Sequence, residues 1–319
     1  MQKLRLSKRV RWALFSIGGL YLFLVGGLMV ADRFIQFRST DEEILRHYQS
    51  RNLPVQIRYY QAEGRQMRYL STGNDPSKPV ILFVHGAPSS SNYYRHFLSD
   101  TSLRNKANLI AVDRPGYGYS GFGMPVPDIG LQAAMIAPIL DSIHKGSRPV
   151  LLVGASYGTP VVSRIVMDYP NLADGLMLIA PALAPGEEKT YWVSYLLESP
   201  LFTWAQPRML HSANVEKFTH EGELMKMKDR WDEINVPVVY YQGKNDDLIY
   251  TTNAEFAKRK ITNSQSLSIR MIPERGHLLV YDEAKRIKEG IREMLVLSKK
   301  FYAENRIEKG KWEASNRAR

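Results

Sequence analysis

Hydrophobic positions along the 319-residue chain fall into three patterns. The first is one uncharged stretch of twenty residues, Trp12 to Ala31. At about 1.5 Å rise per residue its length matches a hydrocarbon core of roughly 30 Å, which predicts a membrane-spanning helix. No second stretch of this length occurs, so the chain is expected to cross once. The second pattern is the short strand-like run. Pro79–Val84 is apolar throughout, as in a strand covered on both faces. Ala107–Val112, Val150–Val153, Leu176–Ala180, Val236–Tyr241 and Leu267–Ile272 read as strands too. Val55–Gln61 and Arg65–Ser71, joined by Ala62-Glu63-Gly64, predict a hairpin. The third is helical periodicity, over Ile129–His144, Pro160–Tyr169, Thr252–Lys260 and Glu283–Leu297.

Strands that alternate with helices argue for an α/β fold, a mainly parallel eight-stranded sheet with helices on both faces. Function then gathers at the carboxyl ends of the strands. Four loops qualify: His85–Ser89, Gly154–Gly158, Gly243–Ile249 and Gly276-His277. Residues 32–52 read as a charged helical connector between membrane segment and domain.

Charge changes the picture mainly at the ends. The net charge is +11, of which residues 1–40 carry +6 and residues 299–319 carry +4, leaving +1 for everything between. No interior run combines clustered bases with aromatics, which argues against a nucleic-acid partner. Five bases (Lys3, Arg5, Lys8, Arg9, Arg11) precede the apolar stretch. The positive-inside rule therefore places residues 1–31 as a cytoplasmic basic segment plus anchor, with the domain on the outer, periplasmic or extracellular, side. The competing expectation is a signal peptide cut after Gly27 and a secreted product, but Leu28-Met29-Val30 continues the apolar run. The paired glycines Gly18-Gly19 and Gly26-Gly27 are ordinary membrane-helix composition, or let two helices approach. There are no cysteines, which excludes disulfides, thiolate metal sites and a catalytic thiol. No metal or cofactor is expected.

The candidate chemistry lies where the apolar run Pro149–Val153 stops at Gly154-Ala155-Ser156-Tyr157-Gly158. A serine between two glycines at a strand-to-helix turn is the nucleophile-elbow pattern, in which the turn is so sharp that the flanking positions tolerate almost no side chain. A serine hydroxyl needs a base, and the base needs an orienting acid. His277 stands after the last strand and directly after Gly276. The acid should come from the intervening strand end, where Asp246 and Asp247 both qualify. Either could instead be a turn cap.

His85-Gly86-Ala87-Pro88, Asp113-Arg114-Pro115-Gly116-Tyr117-Gly118-Tyr119-Ser120, Gly154-x-Ser156-x-Gly158, Gly243-x-x-Asp246 and Gly276-His277 occur in this order. Together they resemble the α/β-hydrolase superfamily, in the branch with an HGxP loop, over residues 53–298. The resemblance implies Ser156 as nucleophile, His277 as base and Asp246, three residues after its glycine, as the acid. Tyr250 stands where the family usually has proline. It implies an oxyanion hole from the backbone N–H groups of Ala87 and Tyr157, and His85 as a brace for its loop. A serine at the elbow separates the chain from the epoxide hydrolases and haloalkane dehalogenases of this fold, which use aspartate there.

Between Ala180 and Val236 the chain is longer than a crossover needs, and the resemblance implies a small helical cap, about 183–233. Tyr191, Trp192, Tyr195 and Leu196 share one face at helical spacing. Tyr191, Trp192 and Tyr195 are therefore expected either to meet an apolar substrate group or to pack the cap on the domain. Residues 299–319 read as a charged extension of the last helix, solvated or loosely attracted to anionic lipid. The expected activity is a membrane-anchored serine hydrolase (esterase or lipase) cleaving a small-molecule carboxylic ester with an apolar portion. The alternatives are a peptidase or amidase of proline iminopeptidase type, and a ligand sensor built on a slow hydrolase.

Overall fold

The computed structural model describes residues 7–144 and 148–317, and the side chains of all these except 142–144 and 306–317. Lys3 and Arg5 of the basic flank and the last two residues of the tail lie outside the described residues. Eight strands form one sheet: β1 (Gln56–Ala62), β2 (Arg65–Ser71), β3 (Val80–Val84), β4 (Asn108–Val112), β5 (Val150–Ala155), β6 (Gly175–Ile179), β7 (Val238–Gly243) and β8 (Leu267–Ile272). Their order is β1-β2-β4-β3-β5-β6-β7-β8. Only β2 runs against its neighbours; every pair from β4 to β8 is parallel. The hairpin that reverses β2 is closed by Glu63 and Gly64, both at positive φ, the two-residue turn whose twist suits adjoining strands.

β3, β4, β5, β6 and β7 are buried along their whole lengths. Alternation therefore appears as two cores rather than as core and solvent. Val80, Leu82, Val84, Val150 and Leu152 join the cluster on one face. Ile81, Phe83, Leu151 and Val153 join the other. Burial on both faces is what an apolar strand run encodes in a parallel sheet.

Helices cover both faces, and several strands and helices begin or end up to two residues from the sequence-based limits. The last helix, Ala284–Arg317, continues twenty residues past the periodic stretch, into the residues read as its charged extension, and Phe301 at the start of that extension is buried in the first core. The connector contains a nine-residue helix, Asp41–Gln49, opened by a reciprocal Thr40/Glu43 capping box. Its Ile44 and Tyr48, one turn apart, are buried in the second core. The connector is thus packed onto the domain.

The N-terminal helix, Lys8–Ala31, is the one helix among the described residues long and apolar enough to cross a membrane. It does not stand alone. Val25 is buried against Phe202 and Ala205, with Tyr21 and Leu28 beside it. Phe202 and Ala205 belong to the excursion between β6 and β7, which holds helices Trp192–Glu198 and Arg208–Met227.

Candidate active site

β5 ends at Ala155, and a helix starts at Gly158, leaving Ser156 to make the turn at φ +50. That region is costly for a residue with a Cβ and persists only where the surroundings hold it. They do so here: Ser156 N–H donates to Ile179 O at 2.9 Å, and Thr159 N–H and Oγ both donate to Ser156 O. The glycines are steric necessities. A Cβ on Gly158 would sit 2.3 Å from Val84 O and 2.7 Å from His85 O, and one on Gly154 would sit 2.6 Å from Val162 Cγ2.

The loops after β7 and β8 bring the partners in. Lys244 N–H donates to Ile272 O and Asn245 N–H to Arg275 O, both at 2.9 Å. A Cβ on Gly243 would collide with Arg275 O at 2.1 Å, so this glycine lets the two loops touch. The result is a linear relay: Ser156 Oγ lies 3.0 Å from His277 Nε2, and His277 Nδ1 lies 2.9 Å from Asp246 Oδ2. The other oxygen of Asp246 accepts from Leu248 N–H at 3.1 Å and Ile249 N–H at 2.9 Å. The Asp246 side chain is fully buried and the His277 ring 15% exposed. Asp247, the alternative acid, points to solvent. An ionised carboxylate only accepts hydrogen bonds, so Asp246 holds the proton on Nδ1 and leaves Nε2 free to accept the serine's.

Gly86 packs straight onto the serine; a Cβ there would sit 2.8 Å from Ser156 Cβ. Ala87 and Tyr157 line the same cavity as Ser156. Among the described residues their backbone N–H groups meet no acceptor. His85 is buried behind this loop. Its Nδ1–H donates to Gly86 O at 2.7 Å, and its Nε2 accepts from Arg114 N–H at 3.0 Å. Burial, reinforced by the Arg114 charge, pushes its pKa down to about 3, so the ring is neutral.

Arg114 is the group that sequence reasoning passed over. Its guanidinium donates to His85 O at 2.8 Å and Gly86 O at 3.1 Å. It also makes a two-pronged pair with Glu216, at 2.6 and 2.9 Å, both side chains being fully buried. Tyr117 Oη and Gln132 Nε2 donate to the same carboxylate, at 2.6 and 2.9 Å. Glu216 lies on the helix Arg208–Met227. One buried carboxylate therefore ties the excursion to the loop beside Ser156. The sole signal in sequence was an arginine within a glycine-shaped turn, and its partner lies 102 residues away.

The cavity over Ser156 has a volume of about 320 Å³. Tyr191, Val193, Leu197, Leu210, Leu248 and Ile249 supply apolar walls. Glu188, Asn214 and Lys217 form a polar end, where Glu188 accepts from Lys217 Nζ at 2.9 Å and meets His220 Nδ1 at 3.0 Å. Although burial works against ionisation, bonds from His220 and Lys217 hold the Glu188 carboxyl below its usual range. A larger, open groove of about 1280 Å³ lies under the connector, lined by Arg38, His47, Arg51 and Arg95; it reaches the serine's cavity only at Pro88.

Of the three aromatics expected near substrate, only Tyr191 lines the cavity. Trp192 and Tyr195 face outward, 75% and 60% exposed, with Tyr195 edge-on to Phe218. The reason is local: the helix starts at Trp192, and Tyr191 is extended at φ −78, ψ 146, so the four aromatic and apolar positions do not share one helical face.

A mostly parallel sheet with one reversed strand, and a serine raised on the elbow after its central strand, define an α/β hydrolase. The family model for the alpha/beta hydrolase family matches residues 81–289, and the chain belongs to that family. It is 24% identical over 280 residues to the monoacylglycerol lipase ABHD6 of Bos taurus, covering 75% of this chain and 82% of that one. Among solved structures it superimposes on a membrane phospholipase A described as a bacterial virulence factor, with TM-score 0.60 and 16% identity over 90% of this chain and 96% of the other. A serine hydrolase involved in carbazole degradation gives TM-score 0.58 at 20% identity, over 76% of this chain and all of that one. At these identities the superpositions show the shared fold.

Proposed function

We propose that this protein is a membrane-anchored serine hydrolase that cleaves a carboxylic ester with an apolar portion. The observation that carries this is the unbroken relay Ser156–His277–Asp246, with the backbone N–H groups of Ala87 and Tyr157 beside it meeting no acceptor among the described residues. His277 Nε2 takes the Ser156 proton as Oγ attacks the ester carbon. The carbonyl oxygen becomes an oxyanion received by the N–H groups of Ala87 and Tyr157, donors already in place before charge develops. Collapse expels the alcohol, which leaves with the proton held on His277. Water, deprotonated by the same nitrogen, then attacks the acyl-serine and releases the acid, restoring Ser156.

The apolar walls suit an acyl chain, and the polar end suits hydroxyls on the alcohol side. The monoacylglycerol lipase relative supports this reading. The peptidase reading needs a carboxylate free to hold a substrate amine, and Glu188 is already engaged by Lys217 and His220. In this reading residues 1–31 are the cytoplasmic segment and retained anchor, 32–52 the connector, 53–298 the hydrolase domain on the outer side, about 183–233 its cap, and 299–319 the tail. The burial of Val25 against the cap favours an uncleaved anchor, since a removed signal would leave Phe202 and Ala205 uncovered.

Labelling with a fluorophosphonate tests the chemistry. Wild type should label and hydrolyse a p-nitrophenyl ester, and Ser156→Ala should do neither, losing on the order of 10⁶ in kcat. Absence of serine-dependent labelling would dispose of the ester and peptidase readings together.

A further inference from the structure

The anchor and the cap meet at two points along the helix Lys8–Ala31. Tyr21 Oη donates to Leu201 O at 3.0 Å, and Val25 and Leu28 pack with Phe202 and Ala205. At the helix's end Asp32 accepts from Arg208, at 2.8 Å from its backbone N–H and 2.8 Å from its guanidinium. The segment from Tyr21 onward is thus laid along the cap. What remains free, Lys8–Leu20, is thirteen residues. At about 1.5 Å each it spans roughly 20 Å, about 10 Å short of a hydrocarbon core of roughly 30 Å. For the helix to cross, part of the docked segment must lie in hydrocarbon, and the cap goes with it.

The cap surface is made for that. From Tyr191 to Ala205 the fifteen residues hold five aromatics and one charge, Glu198. Trp192, Tyr195, Leu201 and Trp204 are 75, 60, 61 and 60% exposed, and Leu196 is 43% exposed. The two halves of this surface are joined by Thr203 Oγ1, which donates to Leu197 O at 3.0 Å. Lys189 and Arg208 bound it with charge. Tryptophan and tyrosine are the side chains that favour the membrane interface. The helix Trp192–Glu198 turns Val193, Ser194 and Leu197 to the cavity of Ser156 and Trp192, Tyr195 and Leu196 outward. One seven-residue helix therefore separates the cavity from this outer surface.

We infer that the cap is sunk into the membrane leaflet on the domain's side. Acyl chains lie against Trp192, Tyr195, Leu196, Leu201 and Trp204, and the ester reaches Ser156 from the leaflet rather than from water. The route to Ser156, though not the placement of the cap, rests on reading that serine as the nucleophile.

Two measurements on the full chain in phosphatidylcholine vesicles test this. With Trp12→Phe as background, vesicles with dibrominated acyl chains should quench tryptophan emission. Adding Trp204→Phe should remove a large share of the quenchable signal. In the second, the double variant Leu201→Asp, Trp204→Asp should hydrolyse a long-chain ester embedded in the vesicle at least about tenfold more slowly, and a soluble short-chain ester within about twofold of wild type. A quenchable signal indifferent to Trp204→Phe overturns the placement, and equal effects on the two esters overturn the route. A bromine-insensitive Trp204 in a chain that behaves as a dimer in detergent assigns the surface to a second copy, also against the proposal. Quenching as expected in a chain that hydrolyses neither ester upholds the cap's placement and sinks the reading of Ser156 alone.

Discussion

At the scale of single residues, two neighbouring aspartates in the loop after β7 have different fates. Asp246 is fully buried, with one oxygen on His277 and the other on two backbone N–H groups; Asp247 is exposed. The two backbone bonds fix the carboxylate whether or not His277 is charged, which suits an orienting acid. Asp246→Asn keeps the shape but offers an amide N–H to Nδ1. The imidazole then carries its proton on Nε2 and cannot take the serine's. On that ground Asp246→Asn should lower kcat by about 10⁴ with KM and thermal midpoint nearly unchanged, whereas Asp247→Asn should leave both constants within a factor of about two. Steady-state kinetics on a soluble ester check both. A large loss in Asp247→Asn would move the acid.

At the scale of elements, the helix Arg208–Met227 is held over the sheet by an ion pair taken entirely out of water. Removing one partner of a buried pair typically costs about 3–5 kcal/mol, because the other charge stays buried and unpaired. Glu216→Gln should therefore lower stability by about that much, read as the shift of a denaturant midpoint. Replacing both, as Arg114→Met with Glu216→Leu, removes the unpaired charge and should restore part of the loss, the stranded Tyr117 Oη and Gln132 Nε2 keeping the rest. The same double variant frees the carbonyls of His85 and Gly86, which Arg114 holds. Its kcat should fall further than its KM rises, the mark of a positioning residue acting through the loop proposed to receive the oxyanion. Recovery of stability together with full kcat would reduce the pair to a structural tie.

At the scale of the whole molecule, the basicity sits at the two ends and the domain is close to neutral. Attraction to anionic surfaces should therefore come from the flanks of the anchor and the tail, falling away over roughly 8–10 Å at physiological salt. The proposed orientation rests on the bases before Trp12 and the positive-inside rule. A phosphatase reporter fused after Arg319 should be active, as it folds only outside the cytoplasm, and a green fluorescent reporter at the same point dark. The reverse pattern would turn the protein round and put the hydrolase domain on the cytoplasmic side.

The sequence by itself determined the elements and their order. An uncharged run of twenty residues, strand runs apolar enough for burial on both faces, and glycines flanking Ser156 are local signals, because each reports what one segment can bury or how sharply it can turn. The ordered motifs, through the resemblance they carry, already paired Ser156 with His277 across 121 residues. Tertiary structure alone decided that Arg114 reaches Glu216 across 102 residues and Tyr21 reaches Leu201 across 180. It also decided which cap aromatics look inward, because the start of the helix at Trp192 sets its phase. The buried ion pair and the docked anchor were illegible in the chain for a physical reason. A periodicity is fixed by neighbours one turn or one pleat away, whereas a buried ion pair or a docked anchor is fixed by the packing of the whole sheet and its covers.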